Sequence, residues 1–170
     1  LLLGGGWAAL RYKLVELPPQ IAKYLPDWAA TAISRPVEGP TVKLDKMFSK
    51  PGEFATVPVW LVDAGGLGTL ELTVSYDPAV LEIAGEPVVG SVVVGAEVHS
   101  QTGKGGVVDV TVSSPEGISG AGSIVKIPFK VIGPANSTTP LKVSINKAES
   151  ATGETVLLNA VNGEIVIGSL

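Results

Sequence analysis

Hydrophobic and polar positions alternate with a period of two along most of the chain. Leu70, Leu72, Val74 and Tyr76 interleave with Glu71, Thr73, Ser75 and Asp77, the spacing of a strand with one face buried and the other in water. The rhythm returns at Val108, Val110 and Val112, at Val125, Ile127, Phe129 and Val131, at Leu141, Val143 and Ile145, over residues 156–158, and at Ile165 and Ile167. Residues 41–44 open the series, and residues 54–62 add a strand that contains Pro58, which points to an edge or a bulge. Lys50-Pro51-Gly52-Glu53 and Gly133-Pro134 read as turns, and Gly103-Lys104-Gly105-Gly106 as a hairpin turn. The Gly-rich stretch 64–68 is expected to reverse the chain, and 117–122 to separate two strands. No helix of ordinary length fits between these runs, so a parallel α/β sheet is not expected. Eight or nine short strands at this spacing predict an all-β sandwich.

Residues 1–35 follow a different rule. Trp7, Leu10, Leu14 and Leu17 recur at three- and four-residue steps, one side of a helix that Pro18-Pro19 must end. A second short helix is expected after Pro19, with Ile21, Tyr24, Leu25 and Trp28 on one face and a break at Pro26-Asp27. The boundary falls near residue 36, giving an N-terminal apolar and helical extension, 1–35, and a β domain, 36–170. The uncharged run 1–10 is too short to cross a bilayer at ~20 residues per span. It precedes its positive charges, Arg11 and Lys13, instead of following them as a secretory signal would. The chain opens without Met, so a preceding piece is expected, which residues 1–10 would continue as one apolar segment. The extension either caps the β body or docks onto something else. Amphipathic rings favour partner and membrane interfaces, which makes Leu1, Leu2, Leu3, Trp7, Leu10, Leu14 and Trp28 candidate assembly contacts.

Composition narrows the function. With 45% hydrophobic residues in 170 the chain holds a full core, and Gly 21 with Pro 13 suits many turns. The net charge is −4 and no block of like charges occurs, so the electrostatic footprint of a nucleic-acid binder is missing. Cysteine is absent, which removes disulfides, thiolate nucleophiles and Cys-ligated metals together.

Candidate chemistry is sparse. His99 is the single histidine, no G-x-S-x-G elbow accompanies it, and zinc lacks its usual ligands, so neither a catalytic residue nor a metal ligand is assigned. Calcium stays open, since Asp63, Asp77, Asp109, Glu116 and loop carbonyls could converge, although no EF-hand loop is visible. Asn136-Ser137-Thr138 is an N-glycosylation acceptor triplet. Trp7, Trp28 and Trp60 form no stacking platform on one strand, which counts against sugar binding.

Four pieces in order resemble the cohesin modules of cellulosomes. They are Lys50-Pro51-Gly52-Glu53-Phe54-Ala55-Thr56-Val57-Pro58-Val59, then the stretch from Leu72 through Tyr76-Asp77-Pro78 to Leu81-Glu82-Ile83, then Gly122-Ser123-Ile124-Val125-Lys126-Ile127-Pro128-Phe129-Lys130-Val131, and finally Asn162-Gly163-Glu164-Ile165-Val166-Ile167. The likeness spans about residues 41–168 and implies a jelly-roll sandwich of nine strands, in accord with the strand count from periodicity. In the Tyr-Asp-Pro piece, Asp77 is expected to bond nearby backbone N–H groups while Pro78 fixes the turn. The resemblance further implies recognition of a protein partner on one sheet face, where Thr69 and Glu71 are the candidates. Together these readings lead to a non-catalytic, extracellular or cell-surface interaction protein that contacts a protein partner or copies of itself through its N-terminal extension. A dockerin-binding cohesin module, and a carbohydrate-binding module or surface enzyme, are the alternatives.

Overall fold

The computed structural model describes residues 39–169. Leu1, Leu2, Leu3, Trp7, Leu10, Leu14 and Trp28, the expected assembly contacts, lie outside the described residues. The described part is all β. Its strands are β1 (Thr41–Leu44), β2 (Lys46–Ser49), β3 (Phe54–Ser75), β4 (Leu81–Ile83), β5 (Val88–Val89), β6 (Glu97–Gly103), β7 (Val107–Val131), β8 (Ser137–Ser150), β9 (Asn159–Val161) and β10 (Gly163–Ile167).

Two very long strands organise the rest. β3 and β7 run antiparallel as one ribbon from Phe54↔Lys130 to Ser75↔Val107. The first half of β3 and the second half of β7 belong to one layer, in the order β9-β1-β3-β7 with β4 and β5 on the far edge. Their other halves belong to the second layer, β2-β10-β8-β3-β7-β6. The fold is a jelly-roll sandwich, and the ribbon is common to both layers.

The ribbon corrects the expectation at residues 64–68 and 117–122, where the chain neither reverses nor stops. Pairing slips in register between Val59 and Thr69, and the two strands bend together. Both have glycine at the bend: a Cβ on Gly117, whose φ is +82°, would stand 3.0 Å from the Cα of Gly66. That is why two separated strands were expected where one continues. A second correction concerns residues 156–158. They form no strand; Val156 N–H bonds Ala148 C=O at 2.9 Å, and the next strand is β9, parallel to β1. Pro58 sits where the missing N–H costs nothing in the ladder: it pairs with Lys126 on β7, and β1 begins alongside only at Val59.

Alternation builds the core. Val57, Val59 and Leu61 of one layer and Leu70, Leu72, Val74, Val108, Val110, Val112, Leu141 and Ile165 of the other are at most 1% exposed, each contributing about 1.5–3 kcal/mol of burial. The Tyr-Asp-Pro corner closes β3. Asp77 Oδ1 accepts from Ala79 N–H at 2.9 Å, Leu81 N–H bonds Asp77 C=O at 2.9 Å, and the Tyr76 ring meets Phe129 edge-on with centroids 4.9 Å apart. Burial pushes the Tyr76 phenol above its ordinary value.

Candidate functional site

Burying one side of each strand decides what the other side shows. With Leu70, Leu72 and Val74 inside, Thr69, Glu71, Thr73 and Ser75 must face out; with Val108, Val110 and Val112 inside, so must Asp109, Thr111 and Ser113. The flanking strands add Glu97, His99 and Gln101 from β6 and Ser144, Lys147 and Glu149 from β8. The register aligns them in rows across four strands. Glu97, Ser113, Thr69 and Glu149 make one row, His99, Thr111, Glu71 and Lys147 the next, and Gln101, Asp109, Thr73 and Ser144 the third.

A bulge in β8 adds one more polar group. Leu72 pairs with Ile145 and Glu71 with Lys147, which leaves Asn146 as the extra residue. Its Nδ2 donates to Thr73 Oγ1 at 2.9 Å, and that hydroxyl donates to Asp109 Oδ1 at 2.6 Å. On the same face Lys147 Nζ pairs with Glu149 Oε2 at 3.2 Å, and His99 Nε2 bonds Glu97 Oε1 at 2.9 Å. The side chain of Glu71, half-buried on β3, makes no hydrogen bond or ion pair among the described residues. Exposed pairs of this kind are worth about 0–1 kcal/mol each. The face can therefore exchange them for bonds to another molecule at small cost.

Thr69 and Glu71 thus stand together on the outer face of β3. The periodicity of β7 also carried Asp109, Thr111 and Ser113, which sequence reasoning passed over although Val108, Val110 and Val112 imply them. Asn146 gave no signal, because a bulge is not visible in alternation. Leu157, read as part of a strand, is 87% exposed in the segment beside β8 and borders a shallow hollow of about 320 Å³ with Asn146 and Lys147.

The other candidates lie elsewhere. Asn136 is exposed in the turn between β7 and β8 with φ +58°. The four carboxylates weighed for calcium do not gather: among the described residues no three His, Asp or Glu side chains stand close enough to hold a metal ion. Asp77 is taken up by its turn, and Asp109 by Thr73. A wider hollow, about 770 Å³, opens at the edge of the sandwich between β6 and residues 83–89.

The family profile described as "Cohesin domain" matches residues 40–167. No curated protein matches the chain. Among solved structures, a non-cellulosomal cohesin from the hyperthermophilic archaeon Archaeoglobus fulgidus is 26% identical, with a TM-score of 0.69 over 76% of this chain and 91% of that one. The sixth cohesin of scaffoldin B from Acetivibrio cellulolyticus, in complex with a mutant Cel5 dockerin, is 24% identical with a TM-score of 0.69 over 76% and 99% of the two chains. A type I cohesin–dockerin complex from Clostridium thermocellum gives 18% identity and a TM-score of 0.69 over 76% and 99%.

Proposed function

From the premise that this chain belongs to the cohesin family through residues 40–167, we propose that it is a non-catalytic interaction module that holds a dockerin-type protein on the outer face of β8-β3-β7-β6. The carrying observation is the face itself: rows of polar and charged side chains in register across four strands, with weak internal bonds and an unpaired Glu71 carboxylate on the inner strand β3. Such a surface offers regular hydrogen-bond groups to a protein and no enclosed volume for a small substrate. Exposed Leu157 at the rim supplies an apolar contact.

A place outside the cell or on its surface is part of the same reading, supported by the exposed Asn136 of the N-glycosylation triplet. Residues 1–35 would join the module to neighbouring copies, a membrane or a larger assembly.

Calorimetric titration of the full chain with dockerin modules tests the reading. A stoichiometric complex that Glu71→Lys weakens at least about tenfold supports the face; that factor is what about 1.4 kcal/mol at the interface would produce. A complex that ignores both Glu71→Lys and Thr73→Arg would place recognition elsewhere. No complex with any dockerin tried would set the partner class aside.

A further inference from the structure

The open edges of the two layers are not equally protected. β2, β9, β4 and β5 end their layers with four, three, three and two residues, and short edges leave few hydrogen-bond groups unpaired. β6 ends the polar layer with seven residues, paired to β7 alone and without a register shift. It contains neither Pro nor Lys, the residues that commonly blunt an edge. Nor does the opposite layer close over it. The hollow of about 770 Å³ lies between β6 and residues 83–89, and Ser100 and Thr102, on the inner side of β6, are exposed.

We propose that β6 is an assembly edge on which β6 of a second copy lies antiparallel, about a two-fold axis at Ser100. The sequence of the edge argues for a second copy over an unrelated strand. Ser100 is the midpoint of Glu97–Gly103, so all seven residues find partners, His99 opposite Gln101 and Glu97 opposite Gly103. No like charges oppose each other. By symmetry the acid at one end, Glu97, comes beside the base at the other end, Lys104, and does so twice. Val88 and Val89, 59% and 52% exposed on the neighbouring edge of the other layer, give apolar area near the joint. A seven-residue edge is smaller than a standard interface of about 20–30 residues a side, so the dimer is weak, with Kd on the order of micromolar or above. Pairing in this register keeps Glu97, His99 and Gln101 on one side, so the two polar faces become one continuous surface able to hold two partners at once.

Sedimentation equilibrium of the full chain, from about 1 µM to about 1 mM to span weak association, reads the outcome. The expected result is a monomer–dimer equilibrium. The double variant His99→Glu with Gln101→Glu sets Glu against Glu twice across the axis and should raise Kd at least about tenfold, whereas His99→Glu with Gln101→Lys sets opposite charges together and should retain the dimer. A chain that stays monomeric throughout overturns the proposal, as does a dimer lost equally in both variants. Residues 1–38 are intact in all three chains, so association through that segment would show as a dimer indifferent to either substitution, which also overturns it.

Discussion

Thr73 and Asp109, on neighbouring strands of the ribbon, are joined by a hydroxyl-to-carboxylate hydrogen bond of 2.6 Å, and the same hydroxyl accepts from Asn146 on the third strand at 2.9 Å. One threonine therefore ties β3, β7 and the bulge of β8 together on the outer face. Thr73→Val keeps the shape and removes both bonds. The expected cost is about 1 kcal/mol in urea denaturation. A variant as stable as the parent would show that the chain of bonds is not formed in solution.

Buried Thr139 presents the opposite case. It is 1% exposed, and its Oγ1 has no hydrogen-bond partner among the described residues. A stranded hydroxyl carries its desolvation cost without return, so Thr139→Val should stabilise the domain by about 1 kcal/mol. Thermal and urea unfolding would both register the gain. A loss of stability would mean that an ordered water satisfies the hydroxyl.

Two adjacent glycines in the β6–β7 turn separate backbone conformation from space. Both have positive φ, +86° at Gly105 and +82° at Gly106. A Cβ at Gly105 meets nothing within 4 Å, whereas one at Gly106 would fall 2.2 Å from the carbonyl oxygen of Tyr76. Gly105→Ala should cost about 1–2 kcal/mol, the left-handed penalty alone. Gly106→Ala should cost well above that, because the corner after β3 must move. Equal losses would contradict the close approach.

Tyr76 makes stability fall in alkali. Its phenol is held above the ordinary value of 10.0 by burial, so the folded state binds the proton more tightly than the unfolded one. The contribution is fully present below about pH 10 and is lost as pH rises through the folded value. Comparison of Tyr76→Phe with the parent between about pH 9 and pH 11 isolates it, since the other two tyrosines are present in both chains. Parallel curves would remove the assignment.

How much was legible depended on whether one residue type sufficed to set the geometry. Leu70, Leu72 and Val74 announced both the buried side of β3 and, by alternation, the placement of Thr69 and Glu71 on its outer side. Pro51 and Gly52 announced their turn, and the structure gives it with Glu53 N–H bonding Lys50 C=O at 3.1 Å and Gly52 at φ +82°. β6 was silent, since Val98 is its one large apolar residue and an edge strand over an open hollow needs no inward row. The bends of the ribbon were misjudged because a glycine pair looks the same in a reversal and in a bulge; only the facing of Gly66 and Gly117, distant in sequence, tells them apart. The rows of the polar face depend likewise on register between strands, which periodicity within each strand does not contain.

The ribbon shared by both layers also bears on the order in which the molecule assembles. Its end at Ser75 and Val107 joins segments far closer along the chain than its end at Phe54 and Lys130, and loop closure penalises the more distant pairing. Zipping of the ribbon would begin beside the Tyr76–Asp77 corner and travel outward, with β6 on β7 and β1 on β3 adding over short separations, whereas β9 on β1 and β2 on β10, which join the two ends of the domain, are recruited last. A chain caught midway would own the β3-β7-β6 part of the polar face with its apolar underside uncovered, a species that slow refolding would expose to dye binding before the native state returns.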